Sequence, residues 1–586
     1  MVSLLTWVLV GILIYTVIAM VLSARGYLPE SVSVSGPLLT VRTKRGRAFL
    51  DRLSRHERFW RAWGNVGVGI AIFVMVVIGV SFVALVPSVI ADPGAGIERP
   101  QNALVIPGVN DFLPLSAAGE IVFGLLVGLV VHEGGHGLLC RVENIEIDSM
   151  GVALIGFIPL GAFVEPDAED QEAANRGAQT RMFAAGITNN FAVTLVALLL
   201  LVPLASAIAV VAGAPVGAAL PGSAADDAGI SDGDVITAVN GTTVENATEL
   251  EETVAAIESD RLEVTLDGGD RIVVDRRLIV AGAVQGAAGE IATGDRITAV
   301  NGTAVETERA FARAVEDRPV ATVTADGTEE TMPVGVFADA AEDGPLDAAG
   351  APTDGTPTVI TRIDDTRVSN ESALRPVLDR FEPGEEVTVV GYVDGNRETF
   401  DVTVGGDEDR PLLGIFTQPG YTGLDLDDFG ADPYPAEAFL DRLSGQSAFA
   451  DRGPVTGFAV YMAQLLFLPL ETLVDPGQAY NFAGFTPDIA GFFVVGGVPS
   501  PVNSALLIGA NLLFWSWWIN FNLAIFNCLP AFPLDGGHIL RTSTEAVVSR
   551  LPIVNRRRLV TVITVGTTLV MIGAVALLIL GPVWLA

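Results

Sequence analysis

His132, Glu133 and His136 carry the clearest chemistry in this chain, within the apolar run LVVHEGGHGLLC. Positions i and i+4 share one face of a helix, so both imidazoles can reach a single Zn2+. Glu133, beside the first imidazole, can take a proton from a zinc-bound water and pass it to a leaving amide nitrogen. The chain has only four histidines, and two of them stand here. Ionisable side chains inside an apolar segment are costly and mark function by default. The competing reading is a pair of buried, hydrogen-bonded structural histidines.

A catalytic zinc needs a third protein ligand and an open position for water. Asp535, in NFNLAIFNCLPAFPLDGGHIL, is the candidate. It follows Pro530 and Pro533, which break the helix and leave carbonyls unpaired. At membrane depth such backbone is tolerated only when buried in protein or lining a wet cavity, and this can carry the carboxylate to the histidine pair. Alone, Asp535 also reads as an ordinary helix-terminal turn residue.

The elements that position these residues follow from the apolar runs. Stretches of roughly twenty apolar residues, enough to span a bilayer, fall at 1–23, 65–90, 118–140, 182–212, 503–528 and 559–584, with a weaker one at 454–474. Residues 213–452 hold no such run. They carry 48 acids and 16 arginines, most of the net charge of −35 of the 586-residue chain. The chain therefore reads as a polytopic membrane protein with one large acidic soluble insertion. So negative a chain argues against nucleic acid as a partner, since phosphate neutralisation needs Lys and Arg. Two cysteines exclude a disulfide scaffold and a Cys-rich zinc module. Lys44 is the only lysine. An acid excess nearly without lysine suits a halophile's concentrated-salt cytoplasm; an ordinary acidic protein of a GC-rich genome is the alternative.

Loop 24–64 carries nine basic residues, and the positive-inside rule places it in the cytoplasm. Alternating crossings then put the acidic block outside. Placing Arg550 and Arg556 to Arg558 inside requires 454–502 to be re-entrant or interfacial. Within the block, GDVITAVNGTTVE (Gly233 to Glu245) recurs as GDRITAVNGTAVE (Gly294 to Glu306), and PTVITRIDDTRVS (Pro357 to Ser369) is a decayed third copy. Each is followed by a short helical pattern and β-prone runs, giving three α+β units. Asn-x-Ser/Thr sequons begin at Asn240, Asn246, Asn301 and Asn370; turn chemistry explains Asn240 and Asn301 without glycosylation.

LPGSAADDAGISDGDVITAVNG (Leu220 to Gly241) resembles PDZ domains, which take an extended peptide as an added strand; these units can equally be spacers or size filters. HExxH in one membrane helix, PLDGG in a later one and PDZ-like units between them resemble the site-2 protease family of intramembrane zinc metalloproteases. The resemblance implies His132, His136 and Asp535 as zinc ligands and Glu133 as general base. It also implies a membrane-dipping β-hairpin in GVALIGFIPLGAFVEPD, with Gly161, Ala162 and Phe163 standing where the family has Gly-Gly-Tyr. AGITNNF and RGPVTGF match further family segments, the first with Ile187 in place of proline. Asn522 and Asn527 match asparagines that bind unwound substrate; helix–helix hydrogen bonds are the other reading.

The expected fold class is thus a polytopic α-helical membrane protein, about six transmembrane helices plus a re-entrant β-hairpin, with an inserted tandem of α+β PDZ-like domains. The expected divisions are membrane helices in 1–117, catalytic halves at 118–212 and 503–545, PDZ-like units at 213–281, 282–340 and 345–415, a linker and re-entrant element at 416–502, and a last helix in 546–586. The expected partners are the lipid bilayer, membrane-protein substrates and extended peptides at the PDZ-like units, with a multi-pass cell-membrane location. Two rivals stand beside the peptidase: a catalytically silent PDZ-bearing adaptor or chaperone, against which the intact motifs argue, and a zinc-binding transporter, which needs internal symmetry not seen here.

Overall fold

The computed structural model describes residues 4–585 apart from 30, 44, 92–105, 109, 111–112, 156–157, 285, 408–409, 451, 475–478 and 553. Lys44 and the tip of the expected hairpin, Gly156 and Phe157, thus lie outside the described residues. The chain divides into two compact units. One, residues 1–209, 437–490 and 494–586, holds the long apolar helices; the other, 210–436 with 491–493, holds the acidic block.

In the helical unit we number the long helices α1 (Leu4–Ala24), α2 (Glu57–Ala91), α3 (Ala118–Val142), α4 (Arg176–Ala205), α5 (Pro454–Phe467), α6 (Ser500–Asn527), α7 (Asp535–Val548) and α8 (Arg556–Leu585). Among the described residues six stretches are long and apolar enough to cross a membrane: Glu57–Ile90, Leu115–Val142, Arg176–Ala205, Pro454–Leu473, Ser500–Asn527 and Arg556–Gly581. Five coincide with expected spans. The sixth, Pro454–Leu473, is where a re-entrant or interfacial element is expected; it is not one continuous α-helix, because Leu468–Leu470 tighten into a 3-10 turn around Pro469.

Helices α3, α4 and α6 pack closely because α3 offers glycines at the contacts. A Cβ on Gly124 would sit 2.7 Å from the Trp515 carbonyl oxygen of α6, and one on Gly135 would sit 2.8 Å from the Ala185 carbonyl oxygen of α4. Asn175 caps α4 by accepting from the Ala178 N–H at 3.0 Å.

Four antiparallel strands lie in the same unit, in the order β1 (Val32–Ser35), β2 (Leu38–Arg42), β3 (Ile147–Ile155) and β4 (Ile158–Pro166). The expected hairpin is β3–β4, and the basic loop extends it by two strands, with Val41 opposite Val152 and Arg42 opposite Gly151. Strand β4 is left at the sheet edge.

The acidic unit contains three modules with separate cores, centred on Ile236 and Val264, on Phe311 and Val323, and on Ile360 and Val389. Each expected helical pattern is a helix: Ala247–Ala256, Glu308–Val315 and Glu371–Leu378. Asn240 and Asn301 open their turns at φ 49°, and Asp364 does so at φ 48°. Each side chain accepts a backbone N–H of the neighbouring strand, from Glu263 (2.7 Å), Thr322 (2.9 Å) and Thr388 (2.7 Å). The third copy therefore keeps the turn with a carboxylate in place of the amide.

Residues 416–433, expected as linker, are not one. The chain runs back along the three modules in reverse order. Ile415–Thr417 pairs with Val336–Ala340, Leu424–Asp427 with Ile279–Ala283, and Ala431–Pro433 with Ala214–Ala219. Asp428 anchors this return segment. It holds the Arg276 guanidinium at 2.6 Å with both side chains almost fully buried, and it accepts the Glu308 N–H at 2.7 Å.

Candidate metal centre

Helix α3 carries His132 and His136 one turn apart, with ring centroids 4.8 Å from each other. The loop from Cys528 to Leu534 breaks the apolar run after α6, and Asp535 becomes the first residue of α7. This turn requires the two glycines of LDGG: a Cβ on Gly536 would lie 2.6 Å from the Cys528 carbonyl oxygen, and one on Gly537 would lie 2.7 Å from the Ala531 carbonyl carbon.

The fold brings three ligand atoms together. His132 Nε2 and His136 Nε2 are 3.2 Å apart, and Asp535 Oδ2 lies 3.1 Å from the first and 3.2 Å from the second. Among the described residues these are the group of His, Cys, Asp and Glu placed to hold a metal. The edge of a tetrahedral zinc shell is about 3.3 Å, given bonds near 2.0–2.1 Å. Asp535 Oδ2 is buried and makes no hydrogen bond of good geometry despite its two close neighbours. Three inward-facing acceptor atoms at this spacing suit a cation.

The outer nitrogens decide which tautomers are available. His136 Nδ1 stands 2.8 Å from the Met182 carbonyl, which only accepts, so Nδ1 carries the proton and Nε2 keeps its lone pair. His132 Nδ1 faces the Asn190 amide at 3.2 Å, and Asn190 Oδ1 is buried without a partner. Ligation through Nε2 places the His132 proton on Nδ1, which the Asn190 oxygen then accepts once the amide is turned over. Gly186 makes room for both rings: a Cβ there would be 2.7 Å from His132 Cε1 and 2.7 Å from His136 Nε2.

Glu133 is half-buried and accepts the backbone N–H of Val164, on β4, at 2.9 Å. The candidate base is thereby tied to the edge strand of the hairpin. Gly161, Ala162 and Phe163 precede Val164 on β4, opposite Ala153, Val152 and Gly151 of β3. A Cβ on Gly161 would meet nothing within 4 Å. Among the described residues the amide nitrogens of Asn522 and Asn527 donate within α6, each to the carbonyl four residues back, Trp518 at 2.8 Å and Leu523 at 2.9 Å. The His538 ring stacks on Phe183 at 4.4 Å and meets the edge of Phe532 at 4.9 Å. Cys140 and Cys528 are buried free thiols.

Sequence reasoning quoted Gly186 and Asn190 within AGITNNF without giving either a role beside the histidines, and it passed over the Met182 carbonyl. Two adjacent asparagines inside the apolar α4 were the available signal, because polar side chains at such depth need partners.

One similar protein is an uncharacterized protein of Methanocaldococcus jannaschii, 48% identical over 48 residues. That stretch is 8% of this chain, and it covers only 13% of the relative's length. A family model matches far more of the chain, from residue 120 to 572, a range containing both histidines, Glu133 and Asp535. On that match the chain belongs to peptidase family M50.

Proposed function

We propose that this chain is an intramembrane zinc endopeptidase of the site-2 protease type, cutting transmembrane segments of membrane-protein substrates near the cytoplasmic side. The observation that carries this reading is the triangle of His132, His136 and Asp535 with Glu133 beside it, held to an unpaired strand edge.

Bound at those three residues, Zn2+ would polarise the scissile carbonyl and make a water nucleophilic at neutral pH. Glu133 takes the proton from that water and delivers it to the leaving nitrogen. The Val164 N–H holds the Glu133 carboxylate toward the site between these steps. A helical substrate hides its peptide groups in its own hydrogen bonds and must unwind, and the freed groups need partners at once. The outer edge of β4, from Gly161 through Phe163, offers them by strand addition. Asn522 and Asn527 can exchange their intrahelical bonds for substrate carbonyls.

The cytoplasmic placement rests on the basic loop. Its strands β1 and β2 join the hairpin sheet, and Arg61 donates to the Val142 carbonyl at 2.9 Å at the end of α3. The positive-inside rule then sets the catalytic end of α3 inside and the acidic modules outside. In this reading the modules are PDZ-like filters that take extended peptides or exclude bulky ectodomains, and their carboxylate-rich surface suits concentrated salt.

The test uses purified full-length protein in lipid with a panel of single-span substrates. Wild type is expected to cut, and Glu133→Gln to lose at least about 100-fold in rate while retaining stoichiometric zinc. If neither form cuts any substrate while zinc is bound, the adaptor reading replaces this one.

A further inference from the structure

Four arginines, Arg176, Arg541, Arg556 and Arg557, line one cavity of about 870 Å3 in the helical unit. Only two carboxylates, Glu172 and Glu545, line it with them. Glu545 is shared by Arg541 at 3.2 Å and Arg176 at 3.6 Å. Arg556 donates to the Leu551 carbonyl at 3.1 Å, and Arg557 makes no ion pair among the described residues. The wall thus carries more positive charge than it neutralises.

The remaining wall is mixed: Phe183, Phe532, Val560 and Val565 give it apolar patches, and Gln179, His538, Thr542 and Thr561 give it further hydrogen-bonding groups. Two of the arginines mark where apolar spans begin: Arg176 opens α4 and Arg556 opens α8. Farther along α8, outside the cavity wall, Val562 and Leu569 are more than 60% exposed. The site therefore has a cationic end at the start of two spans, with exposed apolar side chains on α8 beyond it.

We infer that this cavity binds a phosphate-bearing anion, and that its occupant is the headgroup of an anionic phospholipid with acyl chains lying along α8. Guanidinium forks match phosphate oxygens bidentately. A basic cavity between membrane helices recognises such headgroups, and each arginine near the surface adds to the attraction. Inorganic phosphate shares the headgroup chemistry but makes no use of the apolar patches.

The inference concerns binding and holds whether or not the chain hydrolyses peptides, so its test reads lipid retention. Full-length protein is placed in discs of phosphatidylcholine with or without phosphatidylglycerol, and native mass spectrometry counts the lipids that stay bound. Arg541→Gln with Arg557→Gln removes two cavity charges. Arg550→Gln with Arg558→Gln removes two charges from the same stretch of chain without touching the cavity wall. Wild type and the second variant are expected to prefer phosphatidylglycerol, and the cavity variant to lose roughly fivefold in that preference per arginine. Thermal unfolding in phosphatidylcholine alone checks that each variant folds, and Arg557→Gln by itself, at an exposed position, serves if the double variant does not. Equal loss in both double variants, or no preference in wild type, overturns the cavity assignment. A third arm adds inorganic phosphate to phosphatidylcholine discs. Phosphate adducts there, without any phosphatidylglycerol preference, overturn the lipid and leave a free-phosphate site.

Discussion

Asp535 Oδ2 lies 3.1 Å from His132 Nε2, although the whole acidic insertion separates the two residues in sequence. A carboxylate and two imidazole nitrogens gathered this tightly are placed to hold one cation, which would clamp α7 to α3.

Replacing Asp535 should therefore empty the site. Asp535→Ala is expected to lower zinc affinity by more than about 100-fold, beyond the usual effect of losing an outer partner. Atomic emission on the purified variant checks this. Stoichiometric zinc in Asp535→Ala would place the third ligand elsewhere.

Asn190 tests whether the outer hydrogen bond matters. Asn190→Leu keeps the branched heavy-atom shape of a fully buried side chain and removes the partner of His132 Nδ1. Zinc affinity should fall roughly 10- to 100-fold while the helices still pack. Competition with a chelator measures the change, and an unaltered affinity would reduce Asn190 to packing.

Gly186 makes a steric prediction. The methyl of Gly186→Ala meets both imidazoles at 2.7 Å, so the rings must turn away from the ligating arrangement. The expected outcome is loss of zinc together with about 1–3 kcal/mol of overpacking. Gly134→Ala, on α3 between the two histidines, has a Cβ that would meet nothing within 4 Å; it is the control and should keep its metal.

The acidic unit should respond to pH. Glu308 is pushed up to about 7 from its ordinary 4.5, first by removal from water and then by Asp428, Asp427 and Asp425. Between those values the folded chain holds a proton that the unfolded chain has released, so this group's contribution to stability falls as pH rises from 4.5 toward 7. Glu308 is partly open to solvent, and screening limits the effect to about 1 kcal/mol. Thermal unfolding of wild type and Glu308→Gln across this range should give diverging profiles, with the variant the more stable at pH 8. Parallel profiles would remove Glu308 from the account.

The grouping of the three side chains was legible in the sequence because its signals are local. HExxH places two imidazoles on one helix face by helical period, and Asp535 is marked by the prolines and glycines that place it at a helix start. The repeat announced the modules through Asn-Gly turns, and the third was recognisable even with Asp364 in the turn. Two features escaped. The partners of the imidazoles, Asn190 and Met182, depend on how α4 lies against α3, which no single segment encodes. The pairings of 415–433 are long-range, and its strands of three or four residues are too short to show an alternating pattern. In 454–474 a moderately apolar run interrupted by Pro469 left crossing and re-entry indistinguishable by composition.

The return segment sets the order in which the acidic unit can be completed during synthesis. The third module receives its closing strand first, the second next and the first last, although the first leaves the ribosome earliest. The three pairings close like nested brackets. A ribosome paused before residue 415 would leave every bracket open, and a stretch of fewer than twenty residues then closes all three.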